Sequence, residues 1–533
     1  MNRKTLALTA AVGLLAPLLA ACGSDPSGAA RPGAIVVGTT DRFTVTQDAP
    51  APFDPAHAYD SGIWNVLRQT VQTLMRIPRG GGRPVPDAAS ECQFTDSASR
   101  HYRCFLREDL VFADGQPVTA QDVKFSVERV LAIKADNGAA GLLSTVDTIE
   151  TRGYREVVFH LRTPDATFPY KLSTPVAGIV SSDKYAHDTL RAGFQVDGSG
   201  PYTMEPVMRD GSLSSVVFSR NPRYRGDVEI RNETVELRSF PDPGAMARAL
   251  DDGAIDMMTR TMTPEQIEEL DRKPTDGIKL TEVPGLEIRY LAFNTEAPEV
   301  KDKAVRQAIA SLVDRNEIAA QVYGPTAQPL YSLIPSTIAT HANAFFDRYG
   351  EPSRDKAAAI LRDAGVDTPV KLTLHYTTDH YGTATAQEFA ALRDQLNKSG
   401  LFDATAEGTE WSAFRAAQKR GDYAVYGLGW FPDFPDPDNY IAPFLDGDNF
   451  LNTPYVSDEA RDRLIPASRR EADRAAAAGT FRRLQDIVAR DVPVLPLWQG
   501  KQYVASRDTL NGVEWALNTS SDLQLWELGR GTT

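Results

Sequence analysis

Apolar and polar residues follow regular patterns along most of the chain, and these patterns predict both strands and helices. The run 34–38 (AIVVG) is almost continuously apolar, as in a short buried strand. Over 370–376 apolar and polar residues alternate, which is typical of a half-buried strand. Apolar residues recur at helical spacing over 389–396, and Gly400 predicts the end of that helix. Strands alternate with helices through the second half, so we expect layered α/β architecture.

Capping residues mark the starts of two further helices. Thr119 stands three positions before Asp122, and Thr263 stands three positions before Gln266. In such a capping box each side chain accepts a hydrogen bond from the other residue's backbone N–H. We therefore expect helices to begin after Thr119 and Thr263, and a helical period predicts another over 63–74.

The stretch 426–440 (YGLGWFPDFPDPDNY) departs from both patterns, because prolines, aromatic rings and aspartates are concentrated in it. Proline fixes φ and removes a backbone donor, so we expect a stiff loop rather than a helix or a central strand. Gly427 and Gly429 leave room for close approach to the backbone. Trp430 beside Asp433 suits a cationic, partly apolar ligand. A proline-rich surface turn with its acids in water is the alternative.

The first 22 residues resemble a lipoprotein export signal. Arg3 and Lys4 precede an apolar run over 6–21, which ends in a Leu-Ala-Ala-Cys sequence similar to a bacterial lipobox. We expect Cys22 to become the acylated first residue of the mature chain, anchored to the membrane through palmitate. Residues 23–33 form a small, polar tether.

The other two cysteines, Cys92 and Cys104, form an even pair in a chain that we expect to be exported. A polar, turn-rich segment separates them and lies between two short β-like runs. We expect a disulfide across a hairpin, and two buried thiols are the alternative.

Composition and charge exclude some classes of partner. The chain has 533 residues, of which 42% are hydrophobic and 24% are charged, as expected for two or three globular domains. The net charge of −14 leaves no basic surface to displace counterions, so we expect no nucleic-acid partner.

Known catalytic and metal-binding motifs are absent from the sequence. There is no H-E-x-x-H, C-x-x-C, G-x-S-x-G or Walker motif. His375 and His380 bracket the end of a predicted strand, and we expect a solvated pair rather than a metal site. We expect no cofactor. The acids of 433–438 leave glycosidase-like chemistry open.

Several short segments spread along the chain form a recognisable series. In chain order they are 53–55 (FDP), 102–130 (YRCFLREDLVFADGQPVTAQDVKFSVERV), 198–202 (GSGPY) with 220–224 (RNPRY), 290–294 (YLAFN) with 305–309 (VRQAI), the stretch around Trp430, and 492–496 (VPVLP). In this order they resemble the bacterial extracellular solute-binding proteins of family 5, the peptide/nickel-type receptors of ABC importers. The resemblance runs from about residue 34 to about residue 528.

The resemblance implies a two-lobed α/β fold of the periplasmic-binding-protein type (type II, class C-like) with an inserted subdomain in the first lobe. The lobes would close over ligand by hinge motion, and the chain would cross between them near Pro284 and Pro493. The expected division is a signal peptide 1–22, a tether 23–33, a first lobe 34–60 with 198–283 and 494–528, an inserted subdomain 61–197 and a second lobe 284–493.

The resemblance also implies a ligand site. In the similar oligopeptide binders, an aspartate three residues after a loop tryptophan pairs with the α-amine of the peptide. Trp430 and Asp433 keep this spacing, Trp411 matches another tryptophan of the pocket, and we include Gly429 as a ligand-binding residue. Gly427 stands where some of these binders carry an arginine, so no partner for a peptide carboxylate is implied. The ligand stays open among peptides, chelated nickel, haem, sugars and other solutes.

Together these features predict a receptor rather than an enzyme. We expect a monomer, lipid-anchored on the extracellular face of the cell membrane or in a periplasm-equivalent space, that delivers peptides or a related small solute to the permease of an ABC importer. The alternative is an exported, lipid-anchored hydrolase that uses the acidic loop 433–438.

Overall fold

The structure, a computed structural model, describes residues 33–46, 49–209, 211–260, 262–447 and 454–531. The strands are β1 (Ile35–Thr39), β2 (Met75–Arg76), β3 (Val85–Pro86), β4 (Ala89–Phe94), β5 (His101–Leu106), β6 (Val146–Arg152), β7 (Glu156–Leu161), β8 (Tyr202–Arg209), β9 (Ser212–Arg220), β10 (Thr234–Ser239), β11 (Met257–Met258), β12 (Ile278–Phe293), β13 (Ala327–Pro329), β14 (Val370–Thr377), β15 (Phe402–Thr409), β16 (Val425–Trp430), β17 (Val494–Arg507), β18 (Leu510–Asn511) and β19 (Gly529–Arg530).

The α-helices lie between these strands and cover the sheets. They are α1 (Ser61–Thr70), α2 (Ala120–Ile133), α3 (Phe168–Lys171), α4 (Pro243–Asp251), α5 (Pro264–Arg272), α6 (Lys303–Leu312), α7 (Arg315–Ile318), α8 (Ala344–Tyr349), α9 (Arg354–Asp363), α10 (Ala384–Lys398), α11 (Trp411–Arg420), α12 (Asp438–Leu445), α13 (Ile465–Arg470), α14 (Ala478–Asp491) and α15 (Val513–Ala516).

Within the described residues, one mixed sheet of eleven strands runs through the molecule, in the order β15-β14-β16-β12-β17-β11-β1-β10-β9-β8, with β13 beside β17. Strands β12 and β17 are 16 and 14 residues long and pair antiparallel with each other. On one side, β17 pairs with β11, which in turn pairs with β1. On the other side, β12 pairs with β16, which in turn pairs with β14. These two strands therefore join the two halves of the sheet.

The β12–β17 ladder is interrupted between Pro284 and Ile288. Here the two backbones approach closely, because a Cβ atom on Gly285 would lie 2.4 Å from the carbonyl oxygen of Gly500. The side chain of Gln499 donates to the carbonyl oxygen of Gly285 at 2.7 Å and bridges the gap. Only glycine fits at residue 285 without moving the neighbouring strand.

Buried apolar side chains of the described residues form two large clusters. One cluster takes residues between 35 and 257 together with residues 504–528. The other cluster takes residues between 286 and 498 and contains Trp430 and Tyr440. Each half of the large sheet thus has its own core, and β12 and β17 pass from one core to the other.

Most elements expected from sequence periodicity are present. β1 and β14 occupy the two predicted strands, and α10 covers the predicted helix over 389–396. Capping boxes start α2 and α5, as predicted from Thr119 and Thr263. The prediction over 63–74 is wrong at its end, because α1 stops at Thr70 and the residues after it are extended.

The expectation of a loop over 426–440 is wrong at both ends. Residues up to Trp430 belong to β16, a central strand between β12 and β14, and Asp438 already begins α12. The first proline of the stretch is Pro432, so β16 ends before any proline can remove one of its hydrogen bonds. Only residues 431–437 form the expected loop.

A separate sheet of four strands in the described residues, ordered β4-β5-β7-β6, carries the disulfide. Cys92 of β4 lies directly opposite Cys104 of β5, and the two are joined. The predicted cross-strand disulfide is therefore present.

The export signal 1–22, including Cys22, and the tether up to residue 32 lie outside the described residues. Within the described ranges, every helix is too short or too polar to span a bilayer.

Candidate functional site

A cavity of about 300 Å³ is lined by residues from both halves of the molecule. One wall is the loop before α1 and the first turn of that helix, with Tyr59, Asp60, Ser61 and Trp64. The other wall comes from the ends of β12 and β16, the loop before α10, helix α11 and the loop after β16. Its residues are Tyr290, His380, Tyr381, Trp411, Arg415, Leu428, Gly429, Trp430, Phe431, Pro432 and Asp433.

All four residues that the resemblance singled out as ligand-binding line this cavity: Trp411, Gly429, Trp430 and Asp433. Trp411 is the first residue of α11, while Gly429 and Trp430 end β16. Asp433 follows three residues later in the loop. The fold brings the four together, and their role in ligand binding stays a prediction.

Aromatic side chains dominate the lining. The ring of His380 lies flat against Trp411, with centroids 3.7 Å apart and planes 3° from parallel, and Tyr381 meets the same indole edge-on. Burial lowers the pKa of His380, so its imidazole is neutral near pH 7. These rings give the cavity a largely aromatic surface.

The expectation that His375 and His380 are a solvated pair is wrong for His375, which is half-buried in β14, whereas His380 is exposed in the loop that follows. His375 stacks on Tyr423 at 4.0 Å, and His380 stacks on the cavity tryptophan described above. Partial removal from water lowers the pKa of both imidazoles. The part of the chain that the structure describes holds no cluster of three metal-ligating side chains.

The carboxylate of Asp433 lies in the cavity wall with neutral partners. Asn439 Nδ2 donates to Asp433 Oδ2 at 3.2 Å, and the hydroxyl of Tyr59 bonds to the same carboxylate from the opposite wall. Among the described residues, Lys171 is the only cation that lowers the pKa of Asp433, and Lys171 is already paired with Asp165. Removal from bulk water dominates and raises the pKa of Asp433 to about 6.

The neighbouring acids of the loop have a different role. Asp436 is buried and accepts two hydrogen bonds of 2.7 Å from Arg474, and Asp438 accepts bonds of 3.1 and 3.2 Å from Arg469. Neither acid lines the cavity. The carboxylate pair that a glycosidase needs is therefore not assembled by this loop, because two of its three acids are held in ion pairs.

A buried charged network lies behind the cavity wall. Arg289 pairs with Glu287, and its guanidinium carbon lies 3.8 Å from the ring centre of Tyr381. Trp498 donates to Glu388 at 3.1 Å, and its ring lies 5.4 Å from the same guanidinium carbon. Burial raises the pKa of both glutamates. The Arg289 guanidinium packs against the Tyr381 ring and supports it in the cavity wall. The same guanidinium fills the space that a side chain at residue 429 would need, and Gly429 leaves that space free.

Sequence reasoning missed the wall formed by Tyr59, Asp60 and Trp64, and it also missed Tyr381 and Arg415. The only local signal in the first wall is Asp60, which caps α1 by accepting from two backbone N–H groups at 2.8 and 3.2 Å. A capping residue predicts where a helix starts, but it does not predict which distant residues will face that end of the helix. More than three hundred residues separate this wall from Asp433 in the chain, so only the folded structure shows that they meet.

Comparison with known proteins places these features in a family. Residues 83–452 match the model for bacterial extracellular solute-binding proteins, family 5 Middle. The chain is 24% identical over 497 residues to a di/tripeptide-binding protein 1 of Pseudomonas aeruginosa, covering 87% of this chain and 90% of that protein. It is 23% identical over 523 residues to the oligopeptide-binding protein OppA of Bacillus subtilis, covering 93% and 94%.

Solved structures show the same fold. The ABC transporter substrate-binding protein CtaP of Listeria monocytogenes superposes with a TM-score of 0.79 at 21% identity, covering 93% of this chain and 99% of that one. The predicted α/β fold of the periplasmic-binding-protein type is thereby confirmed.

Proposed function

The chain belongs to the bacterial extracellular solute-binding proteins of family 5, and from that membership we propose that it binds short peptides and delivers them to the permease of an ABC importer. Relatives named as di/tripeptide- and oligopeptide-binding proteins match nearly the whole chain and support this choice of ligand and partner. The receptor itself performs no catalytic step.

The observation that carries the proposal is the environment of Asp433. This carboxylate faces a ring-lined cavity, and among the described residues its hydrogen-bond partners are the neutral side chains of Asn439 and Tyr59, so no ion pair offsets its burial there. A ligand ammonium would supply the missing charge, and a buried charge is tolerated only when it is paired. The α-amine of a peptide is such a group, and its peptide bonds and side chains would pack against the surrounding rings.

The size and lining of the cavity favour short peptides of varied sequence. About 300 Å³ lies at the lower end of volumes that hold small ligands, which suits two or three residues. Aromatic surfaces exclude water and accept different side chains without reading their polar groups. A carboxylate in an aromatic cavity would therefore bind the N-terminus of a peptide and depend little on the peptide's sequence.

The two cores and the sheet suggest how the ligand is enclosed. We assign the first lobe to 34–60, 198–283 and 494–528, the inserted subdomain to 61–197 and the second lobe to 284–493. The cavity then lies between the lobes, with Tyr59 on one side and Asp433 on the other. The break in the β12–β17 ladder at Gly285 and Gly500 is where we expect the lobes to bend relative to each other.

The N-terminal sequence supports a place outside the cytoplasm. The signal-like run and the Leu-Ala-Ala-Cys sequence before residue 23 suit export and acylation of Cys22. A lipid anchor would hold a monomeric receptor beside its permease at the extracellular face of the membrane. The polar tether that follows gives the receptor freedom to reorient.

The test of the proposal is the substitution Asp433→Asn, studied by calorimetry with a short peptide and with its N-acetylated twin. We expect the wild type to bind the free peptide and to reject the acetylated one, and the variant to lose about 2–5 kcal/mol of affinity for the free peptide. Asp355→Asn is a matched control, because the side chain of Asp355 is 98% exposed and far from the cavity lining. Equal binding of both peptides by the wild type would refute the peptide-amine proposal.

A further inference from the structure

We propose that Phe434 is a positioning residue for Asp433: by packing onto Tyr170 and Ile77, it fixes the neighbouring carboxylate in the geometry that binds the ligand amine. The inference rests on the proposed function of Asp433. In the loop after β16, Asp433 would contact the ligand, and the next residue, Phe434, would contact the inserted subdomain.

Phe434 leaves the cavity wall and is buried elsewhere. Only 2% of its surface is exposed, and its ring stacks on Tyr170 at 5.9 Å with planes 30° apart. Together with Ile77 these rings form a small apolar cluster that belongs to neither large core. Tyr170 and Ile77 come from the segment 61–197, whereas Phe434 comes from the segment 284–493. The small cluster therefore bridges the inserted subdomain and the second lobe.

Other contacts between these two parts of the chain are sparse. The backbone N–H of Ala166 donates to the carbonyl oxygen of Arg469 at 2.8 Å, and Ser99 Oγ donates to the carbonyl oxygen of Arg470 at 3.0 Å. The ion pair of Arg83 with Asp473 is more than half exposed and contributes little. Among the described residues, Tyr170–Phe434 is the one aromatic pair that crosses here.

The loop transmits the position of Phe434 to Asp433 because it is rigid. The two residues are adjacent, and the carbonyl oxygen of Phe434 accepts from the N–H of Asp436 at 2.9 Å. Asp436 is in turn clamped by Arg474, and the N–H of Asp433 donates to Asn439 Oδ1 at 2.9 Å. Because these bonds hold residues 433–436 together as one unit, we expect a shift of the Phe434 ring to displace the neighbouring carboxylate as well. A displacement of this kind weakens a charge-assisted hydrogen bond, which depends on close distance and alignment.

We predict that breaking the contact between Phe434 and Tyr170 lowers the selectivity for a free amine even though the carboxylate of Asp433 is still present. In Phe434→Ala we expect the ratio of affinities for a dialanine or trialanine peptide over its N-acetylated twin to fall about tenfold or more. Tyr170→Ala removes the opposite half of the stack and should lower the ratio equally. In the double variant the ratio should fall no further than in either single variant, because both changes break one contact.

Two further variants keep the test decisive. Phe434→Leu retains an apolar side chain in the cluster and should restore part of the ratio even if Phe434→Ala folds poorly. Phe346→Ala is the control, because this ring also pairs with a tyrosine, at 5.3 Å, but lies away from the cavity lining. It should leave the ratio unchanged.

The outcomes separate this inference from the proposed function. A wild type that does not distinguish the free peptide from the acetylated one overturns both. A wild type that distinguishes them, with Tyr170→Ala and Phe434→Leu keeping the full ratio, overturns only the positioning role of Phe434. A fall in absolute affinity that leaves the ratio intact also counts against that role, since general loss of packing would weaken both peptides alike.

Discussion

Arg289 occupies the space in which a side chain at residue 429 would begin: a Cβ atom on Gly429 would lie 1.6 Å from Arg289 Nη1. The two residues are direct partners across β12 and β16. The guanidinium is buried and paired with Glu287, so moving it away from a new methyl group would disturb that ion pair. A glycine in the cavity wall is therefore required by the charged network behind it.

Gly429→Ala should accordingly destabilise the protein. Overpacking costs about 1–3 kcal/mol, and any shift of Arg289 away from Glu287 adds the cost of an unpaired buried charge. We expect the free energy of unfolding in denaturant to fall by at least about 2 kcal/mol. Gly479→Ala is the matched control, because nothing lies within 4 Å of its added Cβ and it sits in a helix. Similar stability of the two variants would contradict the prediction.

Ligand affinity should depend on pH through Asp433. Its pKa in the unliganded protein is raised to about 6, and only the ionised form can pair with an ammonium. Affinity should therefore be highest near pH 7, between the pKa of Asp433 and that of the peptide α-amine at about 7.7–8.0, and should fall by up to about tenfold for each pH unit below 6. Calorimetry at constant ionic strength over this range measures the effect, and Asp433→Asn should abolish the step. Affinity that rises as the pH is lowered would exclude Asp433 as the amine partner.

The disulfide should stabilise the four-stranded sheet without affecting the ligand site. Neither Cys92 nor Cys104 lines the cavity. Replacing both with serine should lower the free energy of unfolding by roughly 2–4 kcal/mol, because a loop of this length restricts the unfolded chain. Peptide affinity, measured in parallel, should stay at the wild-type value. A large loss of affinity in a folded variant would show that the sheet contributes to the site.

Lobe closure should be visible in solution. If ligand brings the two walls of the cavity together, small-angle scattering should give a smaller radius of gyration for the peptide-saturated protein than for the free protein. An identical radius of gyration at saturation would count against closure.

Cys22 should be the membrane anchor. In a bacterial host, labelled palmitate should enter the wild type and not Cys22→Ser, and the variant should leave the membrane fraction. Retention of Cys22→Ser in the membrane fraction would require another anchor.

Local spacing predicted one side of the candidate site and could not predict the other. Trp430 and Asp433 stand three residues apart, so a short-range motif identifies them. Tyr59 reaches the same cavity from the other half of the chain, and no periodicity in its own segment signals that approach. The ion pair of Asp436 with Arg474 could not be predicted either, because the two residues are 38 positions apart in the chain and only the fold brings them together.

The secondary structure around the site shows the same limit. The prolines correctly predicted a break in regular structure, but the predicted loop wrongly included most of β16, which ends before Pro432. Helix α1 stopped at Thr70 although apolar residues continue at helical spacing, because the segment after it packs in extended form between other elements. Tertiary packing decided both boundaries.

The route of β17 also sets the order in which the protein can fold. The N-terminal core is completed by residues 504–528, which lie more than two hundred residues after its other members in the chain. Before these residues are in place, the apolar residues of β1 and its neighbours lack part of their covering. The first core should therefore form only once this distant segment has docked, and truncations that remove residues 504–528 should prevent it from forming.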